Sequence, residues 1–274
     1  MNLIPDASLA PSLAQVRPVT ECKVCGQKAP LHGVADFNKS CEVINGVHFP
    51  QAGVPVSYHR CIACGFLFTE QFDHWTPEMF RRHIYNESYA EVDPECTGAR
   101  AQRESVPLIA FARQVNAKTV LDYGGGDGSL ARILNENGID AHSWDPLHPG
   151  TVAPAPGIFD LVTAFEVLEH TPTPIQTCRQ ALSFVREGGL FLFSTLTLDD
   201  VTGPVCDNWY VAPRNGHISI HTSKSLQLLF ARLDWRLLHY GPGHHMAFAA
   251  RQPEGDVKSL INSVPRATRS RYPG

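Results

Sequence analysis

The alternation of apolar and polar positions changes character near residue 106. Beyond it, short apolar runs and longer stretches of helical spacing follow one another. "SVPLIAFARQV" (105–115) repeats apolar residues at the three-to-four spacing that gives a helix one buried face. "TVLDY" (119–123) is short and apolar, as suits a strand buried on both faces. "SLARILNENG" returns to helical spacing, and Gly138 stops it. Strands are expected at "AHSWD", "FDLVTAF", "LFLFSTL" and "HMAFAAR", with helices at "PIQTCRQALSFV" and "SKSLQLLFARL". Strands alternating with helices predict an α/β fold with a mainly parallel sheet covered on both faces.

Before residue 106 the texture differs. Residues 1–20 read as a loose polar arm. Residues 21–72 hold two cysteine pairs among Pro, Gly and short β-like stretches, "VPVSYHRC" and "GFLFTE". Residues 73–105 are rich in charge and aromatics and suit a helical bridge that doubles as a lid on the acceptor side. The main domain is expected over 106–252, and 253–274 is a basic tail. No internal repeat is visible.

The chain has 274 residues and a net charge of −4, without the basic excess of a nucleic-acid binder. No apolar run approaches the ~20 residues of a membrane span. The N-terminal twenty residues have no basic start and contain three prolines. No signal peptide is expected there, and the cytoplasm is the expected default location.

Four of the eight cysteines form two C-x-x-C pairs, Cys22/Cys25 and Cys61/Cys64, separated by 35 residues. With no secretion signal, metal ligation outranks a disulfide framework. Gly26 and Gly65 follow the second cysteine of each pair and suit tight knuckle turns. Four thiolates close a tetrahedral zinc site, so the expected metal is structural. Cys41 lies between the pairs, but its spacing argues against ligation.

"VLDYGGGDGSL" places Asp122, Gly124, Gly126 and Gly128 at every second position between a strand and a helix. A bare loop lets a ligand approach the backbone, and the helix start offers free N–H groups. The acid within the motif opposes a pyrophosphate and favours a cationic ligand. Asp145, 23 residues after Asp122, stands where a carboxylate can accept from ribose hydroxyls. A nucleoside with a positively charged amino-acid end, S-adenosylmethionine, fits both.

Taken together with "WDP", "FDLVTAFEVLEHTPTP" and "VREGGLFLFST", this stretch resembles the successive motifs of class I S-adenosylmethionine-dependent methyltransferases over about residues 106–250. The resemblance implies a Rossmann-like, mainly parallel, seven-stranded sheet, here with a small N-terminal zinc-ribbon domain. It places Asp122, Gly124, Gly126, Gly128, Asp145, Pro146, Phe165 and Glu166 at the cofactor. Gly124 and Gly126 would underlie the methionine part, Asp122 would organise the loop, and Phe165 would flank the adenine or the sulfonium. The proline-rich "PLHPGTVAPAPGIF" departs from the family by lacking an acid for the adenine amino group.

"IYNESYAEVDPE" (84–95) and "APRNGHISIHTSKSL" (212–226) resemble segments of sugar C-methyltransferases that act on nucleotide-linked deoxysugars. The second aligns His217 with that family's candidate general base, although Gly216 replaces its glutamate. The expected acceptor is therefore a small molecule, nucleotide-linked or glycosidic, methylated on carbon or oxygen. His217, His170 and Tyr89 are the candidate catalytic residues, because methyl transfer needs a positioned base and an imidazole suits that task. Tyr210 and Arg214 are further candidates for acceptor contact. Two other readings stay open: an RNA methyltransferase gripping RNA with its ribbon, and a non-catalytic cofactor-binding partner protein.

Overall fold

The computed structural model describes residues 16–148, 151–199, 204–241, 243–252 and 255. Most of the expected arm and nearly all of the expected tail lie outside these residues. The strands are β1 (Val19–Glu21), β2 (Lys28–Asp36), β3 (Pro55–Arg60), β4 (Leu67–Phe68), β5 (Thr119–Tyr123) and β6 (Asp140–Trp144). They continue with β7 (Phe159–Phe165), β8 (Val185–Ser194), β9 (Ser219–Ile220), β10 (Trp235–Gly241) and β11 (His244–Ala249). The helices are α1 (Pro77–His83), α2 (Tyr89–Val92), α3 (Ala99–Gln114), α4 (Ser129–Glu136), α5 (Pro174–Ser183) and α6 (Ser223–Ala231). Among the described residues, no helix is long and apolar enough to cross a membrane.

The chain divides into two compact units. The division is interleaved rather than linear. Unit 1 comprises 1–94, 169–175 and 196–229, and unit 2 the remainder. The expected continuous domain over 106–252 therefore gives way to one that lends two segments to the N-terminal unit. The physical reason is strand pairing, because β9 adds to β4 through Leu67↔Ile220 and Phe68↔Ser219.

In unit 2 the sheet has the order β10-β11-β8-β7-β5-β6. Strands β6, β5, β7 and β8 run parallel, and β11 and β10 are antiparallel additions. The sheet is thus mostly parallel, with six strands among the described residues and not seven. Residues 151–158 of the proline-rich segment form no strand, as expected where proline removes ladder donors. Strand β10 has no counterpart in the sequence pattern. It is half-exposed along its length, so its apolar residues do not alternate cleanly. One core cluster joins Leu108 and Phe111 of α3, Leu130 and Leu134 of α4, and Val120 and Leu161 of the central strands.

Unit 1 carries an antiparallel sheet in the order β1-β2-β3-β4-β9. Its interior is aromatic. Phe72 packs edge-on against Trp75 with ring centroids 4.6 Å apart, and Trp75 against Phe80 at 5.2 Å. Helix α1 begins at Thr76, whose hydroxyl accepts from the Met79 amide, with Pro77 in its first turn.

Candidate active site

In unit 2 the glycine loop joins β5 to α4. Asp122 is 4% exposed, and its Oδ1 accepts from the Thr163 hydroxyl at 3.0 Å. Burial pushes its carboxyl up to about 7; the Thr163 bond opposes this, and the charges of Asp145 and Asp127 add to it. Gly124, Gly126 and Gly128 all have positive φ, at 74°, 54° and 75°. Gly128 caps α4, and the Asp127 carboxylate accepts from the Ser129 amide at 3.0 Å.

Asp145, just past β6, accepts from the Gly126 amide at 3.2 Å and from the Leu147 amide at 2.7 Å. Both oxygens keep lone pairs for further donors. Pro146 beside it is exposed. Glu166, at the end of β7, also has positive φ, and its Oε1 accepts from Ser194 while its amide donates to the same hydroxyl. Phe165 is half-buried against the core cluster. Gly125 and Ser143 escaped the sequence reasoning. A β-carbon on Gly125 would clash with both Asp122 and Ser143, so the loop closes over the carboxylate only because this residue is bare.

In unit 1 a second group assembles. Glu169, His170 and His217 each offer one ligand atom, all within 4.8 Å of one another. The His170 and His217 rings meet edge-on with centroids 4.8 Å apart. His217 Nδ1 lies 2.8 Å from the Tyr210 carbonyl oxygen, which can only accept, so Nδ1 carries the proton. The Tyr210 hydroxyl donates to Glu169 Oε1. Tyr85 Oη lies 3.0 Å from His170 Nδ1. Gly216, with φ +88, sits where a β-carbon would stand 3.0 Å from Tyr85 Oη and 3.1 Å from His170 Nδ1. The glycine that departs from the sugar-enzyme pattern thus holds a left-handed backbone conformation that favours glycine, with close neighbours on the side a β-carbon would occupy.

The remaining candidates frame this group. Tyr89 donates to the Asn215 carbonyl at 3.3 Å and packs edge-on against Tyr85. Arg214 is buried and donates to the Ile84 carbonyl at 2.9 Å, so its guanidinium ties chain segments together. The signal for Glu169 in the sequence is its place in "EVLEH", an acid directly before His170.

The four paired cysteines also meet in unit 1. Sulfur separations are 3.4 Å for Cys25–Cys61, 3.6 Å for Cys25–Cys64 and 3.7 Å for Cys22–Cys64. A tetrahedron with metal–sulfur bonds of ~2.3 Å places sulfurs ~3.8 Å apart, so the donor set and its spacing fit zinc. Gly26 and Gly65 both take positive φ and donate to the carbonyls of Cys22 and Cys61, making two equivalent knuckles. Cys41 lies elsewhere, with its sulfur 3.6 Å from His217 Nδ1.

A family model described as a methyltransferase domain matches residues 98–240, just over half of the chain. The chain belongs to that family. Its fold is accordingly the methyltransferase α/β fold, with the glycine loop at the end of the first strand of the sheet. Among curated relatives, the ubiquinone biosynthesis O-methyltransferase of Stutzerimonas stutzeri is 35% identical over 32% of this chain and 38% of its own. That of Albidiferax ferrireducens is 48% identical over 30% of this chain and 42% of its own. The chain spans about two fifths of the length of these relatives. Among solved structures, human N-acetylserotonin methyltransferase in complex with SAM is 16% identical, covering 66% of this chain and 61% of that one at a TM-score of 0.46.

Proposed function

We propose that this methyltransferase-family chain moves a methyl group from S-adenosylmethionine to an oxygen of a small molecule. The carrying observation is the glycine loop closed over Asp122, with Asp145 bonded to the Gly126 amide, inside the region that the family model matches. The bare loop, its acids and its left-handed glycines suit a cationic nucleoside. Asp145 would accept from the ribose, and Asp122 and Glu166 would supply negative charge. When bound, the cofactor supplies a methyl group on a sulfonium, which needs no covalent help from the protein.

Activation of the acceptor's hydroxyl is assigned to the Glu169, His170 and His217 group. Tyr89 is assigned a supporting role, because its hydroxyl hydrogen already goes to the Asn215 carbonyl. Oxygen is favoured over carbon by the O-methyltransferase names of the matching relatives. A nucleotide-linked or glycosidic sugar is the acceptor class suggested by residues 84–95 and 212–226. The four-cysteine group is assigned one structural zinc ion.

The test is transfer of labelled methyl from S-adenosylmethionine to a panel of sugar nucleotides, hydroxylated aromatics and RNA. Labelled small-molecule product is the expected result. Label in RNA alone would overturn the small-molecule reading, and cofactor binding without any product would favour the non-catalytic partner. Absence of cofactor binding would end the proposal altogether.

A further inference from the structure

We propose that Glu169, His170 and His217 bind a divalent first-row transition-metal ion with open coordination positions that take an oxygen of the acceptor. The second half rests on the function proposed above; the first half stands on this group alone.

Two imidazoles and one carboxylate form a donor set suited to zinc, iron(II) and related ions, and three protein ligands leave positions open. The ligand atoms lie within 4.8 Å of one another. Metal–ligand bonds of ~2.0–2.2 Å bring such atoms to ~3–4 Å, so a small contraction of side chains around the ion completes the site.

The surroundings match what orients metal ligands. A ligating histidine gives its other ring N–H to a carbonyl or carboxylate, which fixes the ring and its tautomer. His217 does so, with Nδ1 donating to the Tyr210 carbonyl. In the neutral ring, Nε2 then carries the lone pair that a metal needs. His170 is oriented by Tyr85 through its own Nδ1. Glu169 is oriented by the Tyr210 hydroxyl. One residue, Tyr210, therefore orients two of the three ligands, one through its backbone and one through its side chain. Cys41 approaches His217 at Nδ1, the nitrogen turned to the carbonyl, and so is not part of the set.

Burial adds a charge argument. Glu169 is 0% exposed and His217 5%. A buried carboxylate is costly unless a cation or strong donors accompany it. Beside the Tyr210 hydroxyl that already donates to Glu169, a divalent ion would add a compensating charge, and its field lowers the pKa of a hydroxyl bound to it, whose proton then passes to water. The thiolate group is chemically distinct, being soft and closed.

The experiment titrates cobalt(II) into the full-length protein, with zinc already loaded at the cysteines, and reads the absorption spectrum. One equivalent of cobalt should bind with weak visible bands, without the intense near-ultraviolet sulfur-to-metal charge transfer of a thiolate site. His217→Ala and Glu169→Gln should each weaken this binding by more than about 10-fold, and Tyr210→Phe by about 10-fold, as loss of an orienting partner does. S-adenosylmethionine affinity serves as the folding control.

Cobalt entering only with the thiolate band, or identical affinity in all variants, would overturn the site. The wild-type stoichiometry decides this even if a variant does not fold. Catechol, a bidentate oxygen donor, should shift the visible bands. An unmoved spectrum at saturation would remove the acceptor half. Cobalt bound at this site in a protein that transfers no methyl group would refute the proposed function and leave the metal site standing.

Discussion

Asp122 lies beneath Gly125 so closely that a β-carbon there would stand 2.4 Å from Asp122 Oδ2 and 2.4 Å from Ser143 Oγ. The carboxylate is buried and bonded to Thr163, so it cannot swing aside freely. Gly125→Ala should therefore cost about 1–3 kcal/mol of stability, the usual price of overpacking. Denaturant unfolding measures it. Gly138→Ala is the comparison, because its β-carbon would meet nothing within 4 Å and only its positive φ resists. A Gly125→Ala protein as stable as wild type would show that the loop opens easily.

The same carboxylate should report cofactor binding through pH. An unfolded Asp titrates near ~3.9, while burial raises Asp122 to about 7 in the fold. The folded chain thus holds the extra proton between these values. The stability it confers is complete below about pH 4 and is lost as pH rises through 7. A cationic ligand favours the ionised form, so S-adenosylmethionine affinity should rise through pH 7 with release of a proton. Calorimetry in buffers of different ionisation enthalpy reads that proton. Asp122→Asn should remove the release, and proton release unchanged in this variant would assign it to another group.

These two features were unequally legible in the sequence. Strands β5 and β7 coincide with "TVLDY" and "FDLVTAF", because a strand buried on both faces is a continuous apolar run. Strand β10 was invisible, since a half-exposed edge strand has no such run. Glycine spacing identified Gly124, Gly126 and Gly128, whose left-handed backbone demands glycine. It missed Gly125, whose need comes from a neighbour brought close only by folding. The interleaved units were also hidden. The pairing of Ser219 and Ile220 with Phe68 and Leu67 joins positions some 150 residues apart, and nothing local announces it.

Asp145→Ala should weaken S-adenosylmethionine binding by about 1–3 kcal/mol, the range for charge-assisted hydrogen bonds. Part of that loss comes from the loop, because Asp145 also holds the amides of Gly126 and Leu147. Asp145→Asn keeps one accepting oxygen and should fall between the two. Calorimetric titration orders the three proteins. Equal affinities would mean that the ribose is held by other residues.

Elemental analysis should find one zinc ion per chain at the cysteines, in addition to whatever occupies the histidine group. Cys22→Ser should lose it and fall sharply in soluble yield, because structural thiolate sites contribute to folding. Cys178→Ser should keep its zinc. Cys178 is fully buried in α5, remote in sequence from both knuckles, and burial pushes its thiol well above its ordinary range. Equal zinc in the two variants would detach the metal from the paired cysteines.

His217→Ala should lower turnover by about 10²–10⁴-fold, the range for removing a group that takes up a proton. A lost metal ligand or a lost imidazole base both lead to that result, and the cobalt spectrum separates them. Affinity for S-adenosylmethionine should stay near wild type, because the cofactor contacts proposed above fall on the glycine loop, Asp145 and Glu166 and not on His217. His170→Ala should behave alike, since its ring is placed by Tyr85 and lies beside His217. Tyr89→Phe should be mild, because the hydrogen bond it removes to the Asn215 carbonyl is long. Turnover at saturating cofactor and acceptor, with cofactor affinity measured separately, decides the matter. If Tyr89→Phe abolished turnover while His217→Ala retained it, the proton would leave through the tyrosine and the histidine group would be structural.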